Sequence, residues 1–235
     1  MRPLPFPRRT DVGPFAVLLA TLLATLLLAP VLDQEYLLGV SRFRLFATAL
    51  LCAGVYALSR RKRAVFILGL AIALPALAAE AWLHLQPGPR LVALNFALTL
   101  AFLVFLGSAL LHAILEQERV TLDTIFGGIC VYLLLGVIWS LVYCALEYHA
   151  PGSFALDGRP LPPTAGPYEI RREELIYFSF VTLTTVGFGD ILARTHAARA
   201  LTAAEAVTGS LYLAIFIARL VGLHMVQGRN RDLDL

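Results

Sequence analysis

Apolar residues occupy most of the chain in long runs, and the charged residues lie in short clusters between these runs. A hydrocarbon core of about 30 Å needs about 20 apolar residues in a helix. On this length the sequence predicts six membrane spans. The second is the shortest, and we expect it to begin before its apolar run, with Arg42 and Arg44 reaching toward the interface. The predicted spans are residues 15–32, 45–58, 64–85, 91–115, 124–147 and 201–226.

The segment between the fifth and sixth spans has a different pattern. Residues 148–172 form a loop rich in proline and glycine, and residues 175–183 are apolar but too short to cross a bilayer. A short apolar segment beside full spans is typical of a re-entrant segment. The pattern predicts an all-α integral membrane protein with six transmembrane helices and one re-entrant helix followed by a loop.

The composition supports a membrane protein and excludes two other classes. Hydrophobic residues make up 59% of the chain and charged residues 15%, against about 45–50% and about 25% in soluble domains. A soluble globule would lack polar surface, and intrinsic disorder requires low hydrophobicity. The net charge of +3 comes from basic residues at the ends of the runs. They form no basic face, so we expect no nucleic-acid partner.

The distribution of basic residues predicts the orientation of the chain. Arg2, Arg8 and Arg9 precede the first span, and the basic cluster 60–63 follows the second. The positive-inside rule, applied to this first hairpin, places both termini in the cytoplasm. We therefore expect a multi-pass protein of the cell membrane (the plasma or inner membrane).

Residues 182–190 read Thr-Leu-Thr-Thr-Val-Gly-Phe-Gly-Asp. This run resembles the selectivity-filter signature of the potassium channel family, T-x-T-T-x-G-[YF]-G-D, at every position. The similarity extends over residues 124–226 and is only architectural over residues 1–115. It implies a pore domain made of an outer helix, a turret loop, a pore helix, a selectivity-filter loop and an inner helix. The expected domains are a cytoplasmic N-terminus (1–13), a four-helix membrane domain without sensor charges (14–119), the pore domain (120–226) and a short cytoplasmic tail (227–235).

The physical chemistry of the run agrees with this resemblance. A potassium ion in a narrow pore exchanges its water shell for rings of backbone carbonyl oxygens. Backbone of this kind needs positive φ angles, which glycine adopts at least cost, and Gly187 and Gly189 supply them. The expected K⁺ ligands are the carbonyls of Thr185, Val186, Gly187 and Phe188, with the Thr185 hydroxyl as the innermost ring. Gly189 completes the ion-binding stretch.

Residues around the filter are expected to support it. By resemblance, Asp190 at the outer mouth hydrogen-bonds the pore-helix residue Tyr177, and Thr184 supports the inner end. Phe188 stands where the family more often has tyrosine, which removes one hydroxyl bond behind the filter. The pore helix, about residues 173–184, directs its C-terminal partial negative charge toward the pore.

The predicted inner helix contains Gly209 at the spacing of the gating-hinge glycine in the channels that it resembles. Two interpretations stay open: a hinge that permits bending, or a small residue that permits close helix packing. In either case Ser210, Leu213 and Ile217 are candidates to line the cavity.

Two pairs of polar residues have the spacing of neighbours on a helix. Glu80 and His84 form one pair, and His112 and Glu116 form the other. Such pairs can bind a metal or perform acid–base chemistry. They are also common at helix ends near the membrane interface, and we favour that interpretation.

Three further ionisable residues lie near the predicted pore. Glu205 falls within the inner helix, where it must face water or a partner group. His149 and His196 lie on the outer side, where they are either acid sensors or solvated loop residues.

The sequence as a whole predicts a subunit of a potassium-selective channel. One chain contributes one filter strand, and a closed ring of carbonyls needs four, so we expect a homotetramer whose partners are potassium ions and membrane lipid. We expect no cofactor, K⁺ being the permeant ion, and no enzymatic activity. The alternatives are a non-selective cation channel, or a membrane enzyme or transporter that uses the Glu/His pairs.

The fourth span carries no lysine or arginine between residues 91 and 115. Steep voltage gating needs roughly 3–4 gating charges per subunit in this helix. The sequence therefore predicts a channel without an intrinsic voltage sensor.

Overall fold

The structure is a computed structural model that describes residues 14–28, 36–37, 40–59, 63–86, 88–117, 120–161 and 172–233. The expected N-terminal segment 1–13 lies outside these residues. The described chain is mostly helical. Its elements are α1 (Pro14–Leu28), β1 (Tyr36–Leu37), β2 (Val40–Ser41), α2 (Arg42–Ser59), α3 (Arg63–Leu85), α4 (Pro89–Leu115), α5 (Leu122–His149), β3 (Phe154–Leu156), β4 (Arg159–Pro160), α6 (Arg172–Leu183), β5 (Ile191–Ala193) and α7 (His196–Leu233).

Four helices in the described part of the chain are long and apolar enough to cross a membrane. The segments that meet this condition are Arg63–Leu83, Pro89–Leu115, Leu122–His149 and His196–Met225. Helices α1 and α2 contribute the shorter apolar segments Phe15–Ala24 and Thr48–Ser59. The prediction of a mostly helical chain with helices of membrane-spanning length and apolarity is therefore confirmed, whereas a count of six spans stays a prediction.

The bounds of the long helices follow from local signals in the sequence. Helix α4 begins with Pro89 directly after Gly88, because proline suits the first helical position. Helix α5 begins with a reciprocal cap in which Thr121 Oγ1 accepts from Thr124 N and Thr124 Oγ1 accepts from Thr121 N, both at 3.2 Å. Helix α3 continues through Pro75.

The N-terminal helices pack around α4 and against α5. Helix α4 packs on α3 and on α5, and α1 packs on both α2 and α5. The buried centre of this region is aliphatic and aromatic, and its fully buried α4 members are Phe102, Leu103, Leu106 and Leu110. The region is therefore joined to the C-terminal half of the chain through α5.

Arg219 of α7 connects the same two regions near the N-terminal end of α5. Its Nη2 donates to the carbonyls of Leu115 at 2.5 Å and Gln117 at 3.1 Å, with a longer contact of 3.4 Å to Ile114. The last carbonyls of a helix have no partner within it, and they carry partial negative charge. Arg219 thus caps the C-terminal end of α4.

Helix α5 also positions α6 and α7, because two of its glycines leave room for aromatic rings. A Cβ atom at Gly128 would lie 1.9 Å from the ring of Phe216 in α7, and one at Gly136 would lie 2.6 Å from the ring of Phe180 in α6. The two helices therefore approach α5 closely along its length.

The structure departs from the sequence expectation in two places. An all-α fold was expected, but the described chain contains a β1–β2 hairpin and a three-stranded antiparallel sheet of order β4-β3-β5. The larger sheet takes β3 and β4 from the loop predicted at 148–172, and β3 also pairs with β5, which lies beyond α6 in the chain. Helix α7 also runs to Leu233, into the segment predicted as a separate tail. No proline interrupts the chain there.

Candidate functional site

The segment 184–190, here the TTVGFGD segment, leaves the C-terminal end of α6 and is exposed along most of its length. Its backbone has positive φ at every second residue: 58° at Thr185, 58° at Gly187 and 81° at Gly189. In an ordinary strand the carbonyls alternate in direction, whereas alternation of right- and left-handed residues aligns neighbouring peptide groups. The two glycines have the positive φ that the sequence predicts.

Thr185 shares this conformation, which the sequence reasoning did not anticipate. A residue with a Cβ atom in a sparsely populated region of φ costs about 1–3 kcal/mol and persists only when its surroundings impose it. The surroundings here are the last turn of α6. Thr185 N donates to Thr182 O at 2.9 Å, and Val186 N donates to Val181 O at 3.0 Å.

Thr184 continues the hydrogen bonding of the same turn. Its backbone N–H and its hydroxyl both donate to the carbonyl of Phe180, at 3.0 and 2.6 Å. The inner end of the TTVGFGD segment is therefore held by main-chain bonds to α6. That Thr184 supports a selectivity filter stays a prediction.

The outer end of the TTVGFGD segment is held by the β4-β3-β5 sheet. Asp190 O accepts from Asp157 N at 2.9 Å, and Asp190 Oδ1 accepts from Ile191 N at 3.0 Å. Ile191 then begins β5 and pairs with Leu156 of β3. The sheet thus fixes the point at which the chain leaves the segment.

A two-residue turn makes this sheet possible. Asp157 and Gly158 connect β3 to β4 with φ angles of 49° and 78°, as in the type I′ turn that matches the twist of a hairpin. Asp-Gly is a strong hairpin signal in a sequence. Sequence reasoning missed it because the surrounding prolines and glycines were taken as an irregular loop.

Tyr177 of α6 reaches the outer end of the TTVGFGD segment and hydrogen-bonds Asp190, the contact expected from the resemblance. The bond to the phenol holds the pKa of Asp190 below its ordinary value, and the same bond raises the pKa of Tyr177. The ring of Phe188 stacks on that of Tyr177 with centroids 6.4 Å apart and an interplanar angle of 2°. Apart from this contact Phe188 is exposed, as is Val186.

An aromatic cluster lies behind α6 and joins it to the sheet. The rings of Tyr143 (α5), Phe154 (β3) and Phe178 (α6) meet edge to face, with centroids 5.2–5.3 Å apart. Tyr143 and Phe154 are fully buried. Edge-to-face pairs contribute about 0.5–1.5 kcal/mol each beyond burial, so the cluster stabilises the position of α6 relative to both anchors of the TTVGFGD segment.

Gly209 lies where α7 crosses the end of α6. A Cβ atom at this position would lie 2.5 Å from the carbonyl oxygen of Leu183 and 2.8 Å from its side chain. The same carbonyl accepts a hydrogen bond from the Tyr132 hydroxyl of α5 at 3.2 Å. The structure thus shows the close-packing role of Gly209, and the hinge stays a prediction.

The cavity candidates lie on the exposed part of α7. Ser210, Leu213 and Ile217 are all exposed in the single chain, and the Ser210 hydroxyl donates to Ala206 O at 2.9 Å. In an apolar stretch of 18 residues taken from each helix, 6% of the residues of α7 are buried, against 44% of those of α5. The exposed apolar residues of α7 also include Val207, Leu211, Ile215, Val221 and Met225.

The two Glu/His pairs have different surroundings. Glu80 is buried and accepts a hydrogen bond of 2.6 Å from Asn95 Nδ2 of α4. The side chain of His84 falls outside what the structure describes. His112 Nε2 lies 3.2 Å from Glu116 Oε1 at the exposed end of α4. Across the described residues, no three or more His, Cys, Asp or Glu side chains group as metal ligands would.

The remaining ionisable candidates separate into exposed and buried groups. His149 and His196 are exposed, and His149 Nδ1 contacts Ala145 O at 2.8 Å. Glu205 is fully buried and hydrogen-bonds Tyr143 and Ser179. The requirement that Glu205 meet a partner is therefore fulfilled by two hydroxyl groups.

Residues 120–224 match the sequence family described as ion channel. This region begins just before α5 and includes the sheet, α6, the TTVGFGD segment and the membrane-length part of α7. Comparisons with curated proteins and with solved structures give no significant match. Residues 120–224 are thus similar to an ion-channel domain.

Tyr177→Phe tests the contact at the outer end of the TTVGFGD segment. The bond to Tyr177 is the main cause of the lowered pKa of Asp190, so this pKa should rise in the variant. Stability due to the Asp190 carboxylate is present above its ordinary pKa and is lost as the pH falls through the lowered one. In the variant this loss should therefore move to higher pH. The measurement is flicker of single-channel currents against external pH, and unchanged kinetics would contradict the contact.

Gly209→Ala tests the packing of α7 against α6, and Gly222→Ala in the same helix is the matched control. A Cβ atom at Gly222 meets nothing within 4 Å, so this change should stabilise the helix by up to about 1 kcal/mol. Gly209→Ala should instead lower the free energy of unfolding by about 1–3 kcal/mol, because the Leu183 backbone cannot yield easily. Thermal unfolding in detergent compares the variants, and equal effects at both positions would contradict the close approach.

Proposed function

We propose that the chain is a subunit of a homotetrameric potassium-selective channel that conducts K⁺ passively. The observation that supports this most strongly is the backbone of the TTVGFGD segment, with positive φ at alternate residues and main-chain anchors at both ends. Such a segment can present successive carbonyl oxygens toward one side. Rings of these oxygens replace the hydration shell of K⁺.

In this proposal each residue of the TTVGFGD segment has a defined role. The carbonyls of Thr185, Val186, Gly187 and Phe188 are the K⁺ ligands, the Thr185 hydroxyl forms the innermost ring, and Gly189 completes the stretch. Thr184 and Asp190, with Tyr177, support its two ends. A ligand set of this kind discriminates by the number and field strength of its oxygens and needs no cofactor.

The exposed surfaces of the single chain support the tetramer. One chain supplies one carbonyl strand, and four strands related by a central axis complete a ring. Val186 and Phe188 are 55% and 70% exposed, and α7 is exposed over most of its membrane length. In the tetramer these side chains pack against neighbouring subunits, while Ser210, Leu213 and Ile217 face the cavity.

The N-terminal helices are expected to act without an intrinsic voltage sensor. Between Leu91 and Leu115, helix α4 contains no lysine or arginine, and moving charge through the field is what makes gating steep. The pore domain then comprises residues 120–226, preceded by the membrane domain 14–119. Both termini are cytoplasmic in this arrangement, and the channel lies in the plasma or inner membrane.

The proposal is tested by recording purified protein in planar bilayers under opposed potassium and sodium gradients. The reversal potential should lie near that of potassium, and the open probability should vary only weakly with voltage. Gly187→Ala, which places a Cβ atom at φ 58°, should abolish conduction or selectivity, whereas Gly222→Ala should preserve both. A reversal potential between those of the two cations would favour the non-selective channel, and activity that survives Gly187→Ala would favour a transporter or enzyme.

A further inference from the structure

Glu205 is a fully buried carboxyl group at the junction of three helices. It belongs to α7, and its two oxygens contact hydroxyl groups of the other two helices: Tyr143 of α5 at Oε2 and Ser179 of α6 at Oε1. An ionised carboxylate is costly in such a place unless a cation or several donors compensate it. Whether Glu205 is ionised therefore depends on how many protons the groups around it supply for hydrogen bonds.

The Ser179 hydroxyl makes two short contacts with oxygen atoms but has only one proton to donate. Ser179 Oγ lies 2.7 Å from the carbonyl oxygen of Gly136 and 2.5 Å from Glu205 Oε1. A serine hydroxyl has one proton, whereas a carbonyl oxygen and an ionised carboxylate only accept. If Glu205 were ionised, Ser179 would therefore face two acceptors with a single proton, and one of these short contacts would be repulsive.

A protonated Glu205 completes the network. The carboxylic acid donates from Oε1 to Ser179 Oγ, Ser179 donates to Gly136 O, and the Tyr143 hydroxyl donates to Glu205 Oε2. Three contacts then use three protons, of which the two hydroxyl groups supply only two. Both oxygens of Glu205 and the hydroxyl of Ser179 then have a partner of the right kind, as buried polar groups require.

No cation takes the place of this proton among the described residues. The titratable groups that face Glu205 are the phenols of Tyr143 and Tyr132, both on α5. Helix α6 contributes only the Ser179 hydroxyl, and on α7 itself Thr202 bonds to Tyr143 and to Ala198 O. The electrostatic surroundings therefore offer an ionised Glu205 nothing beyond hydroxyl dipoles.

Glu205 also lies one helical turn from Gly209, the residue at which α7 touches the end of α6. Residues four apart lie on the same helix face, so α7 meets α6 at two successive turns, first at Ser179 and then at Leu183. Ser179 follows Tyr177, which contacts Asp190, and Phe178, which belongs to the aromatic cluster. The carboxyl group thus lies directly behind the helix that presents the TTVGFGD segment.

We propose that Glu205 is a positioning residue that keeps its proton in the folded protein and, as a neutral carboxylic acid, fastens α7 to α6. The effect on conduction rests on the proposed function, whereas the protonation does not. Removal of the proton at alkaline pH places a charge against Ser179 and loosens α6. Potassium current should therefore decline as the pH rises.

Infrared difference spectroscopy of the protein in lipid tests the proton directly. The carbonyl stretching band of a protonated carboxylic acid should be present at neutral pH in the wild type and lost in Glu205→Gln. Glu147→Gln is the matched control, because the Glu147 carboxyl group has two backbone N–H donors, Gly152 and Phe154. That variant should retain the band. A wild-type spectrum without the band at neutral pH would overturn the proposal.

Conduction provides the second readout. An amide reproduces both contacts of the neutral acid, with its N–H donating to Ser179 and its oxygen accepting from Tyr143, so Glu205→Gln should assemble and conduct like the wild type at neutral pH. Its current should no longer decline at alkaline pH, whereas Glu205→Leu should lose current at every pH.

Two results would overturn this role: a Glu205→Gln protein that fails to assemble, or an alkaline decline that persists in this variant, which would assign it to the tyrosines. A wild-type protein that shows the band but does not prefer potassium would overturn the proposed function and leave the assignment of the proton intact.

Discussion

Polar backbone at membrane depth is tolerated only where protein buries it or where it lines a water-filled path. In the proposed channel the TTVGFGD segment is such backbone, since its residues with positive φ at 185, 187 and 189 belong neither to a helix nor to a sheet. Its N–H and C=O groups have to be directed by the surrounding protein. The rest of the C-terminal half can be understood as the means of imposing that conformation.

The conformation is imposed from three directions. The last turn of α6 binds the inner end through Thr184, Thr185 and Val186, and the sheet binds the outer end through Asp190. Behind α6, the rings of Tyr143 and neighbouring aromatics fill the space between α5 and the sheet. Helix α7 packs against α6 at Glu205 and Gly209. The strain at Thr185 is compatible with the fold because every neighbouring element is fixed.

The sequence predicted those features that depend on length and composition. The bounds of α3, α4 and α5 agree with the predicted runs within a few residues, because a long apolar run flanked by proline, glycine or charge has few alternatives. The positive φ at Gly187 and Gly189 and the contact between Tyr177 and Asp190 also agree. Each of these signals is local or belongs to a motif with a known backbone.

The features that were missed depend on contacts between segments distant in the chain. The pairing of β3 with β5 joins residues on either side of α6. Strands of two or three residues are too short to show an alternating pattern in the sequence. The hydroxyl partners of Glu205 come from two other helices, so its position within α7 indicated only that a partner must exist. The left-handed Thr185 is imposed by α6, and residue type argues against it.

In the proposed channel, other copies of the same chain, arranged around an axis, complete the exposed TTVGFGD segment and the exposed face of α7. Native mass spectrometry of the purified protein, with potassium flux measured on liposomes reconstituted from the same fraction, tests it most directly. The account predicts a species of four copies of the 25.6 kDa chain that carries the flux. A monomer or dimer that conducts potassium would contradict it.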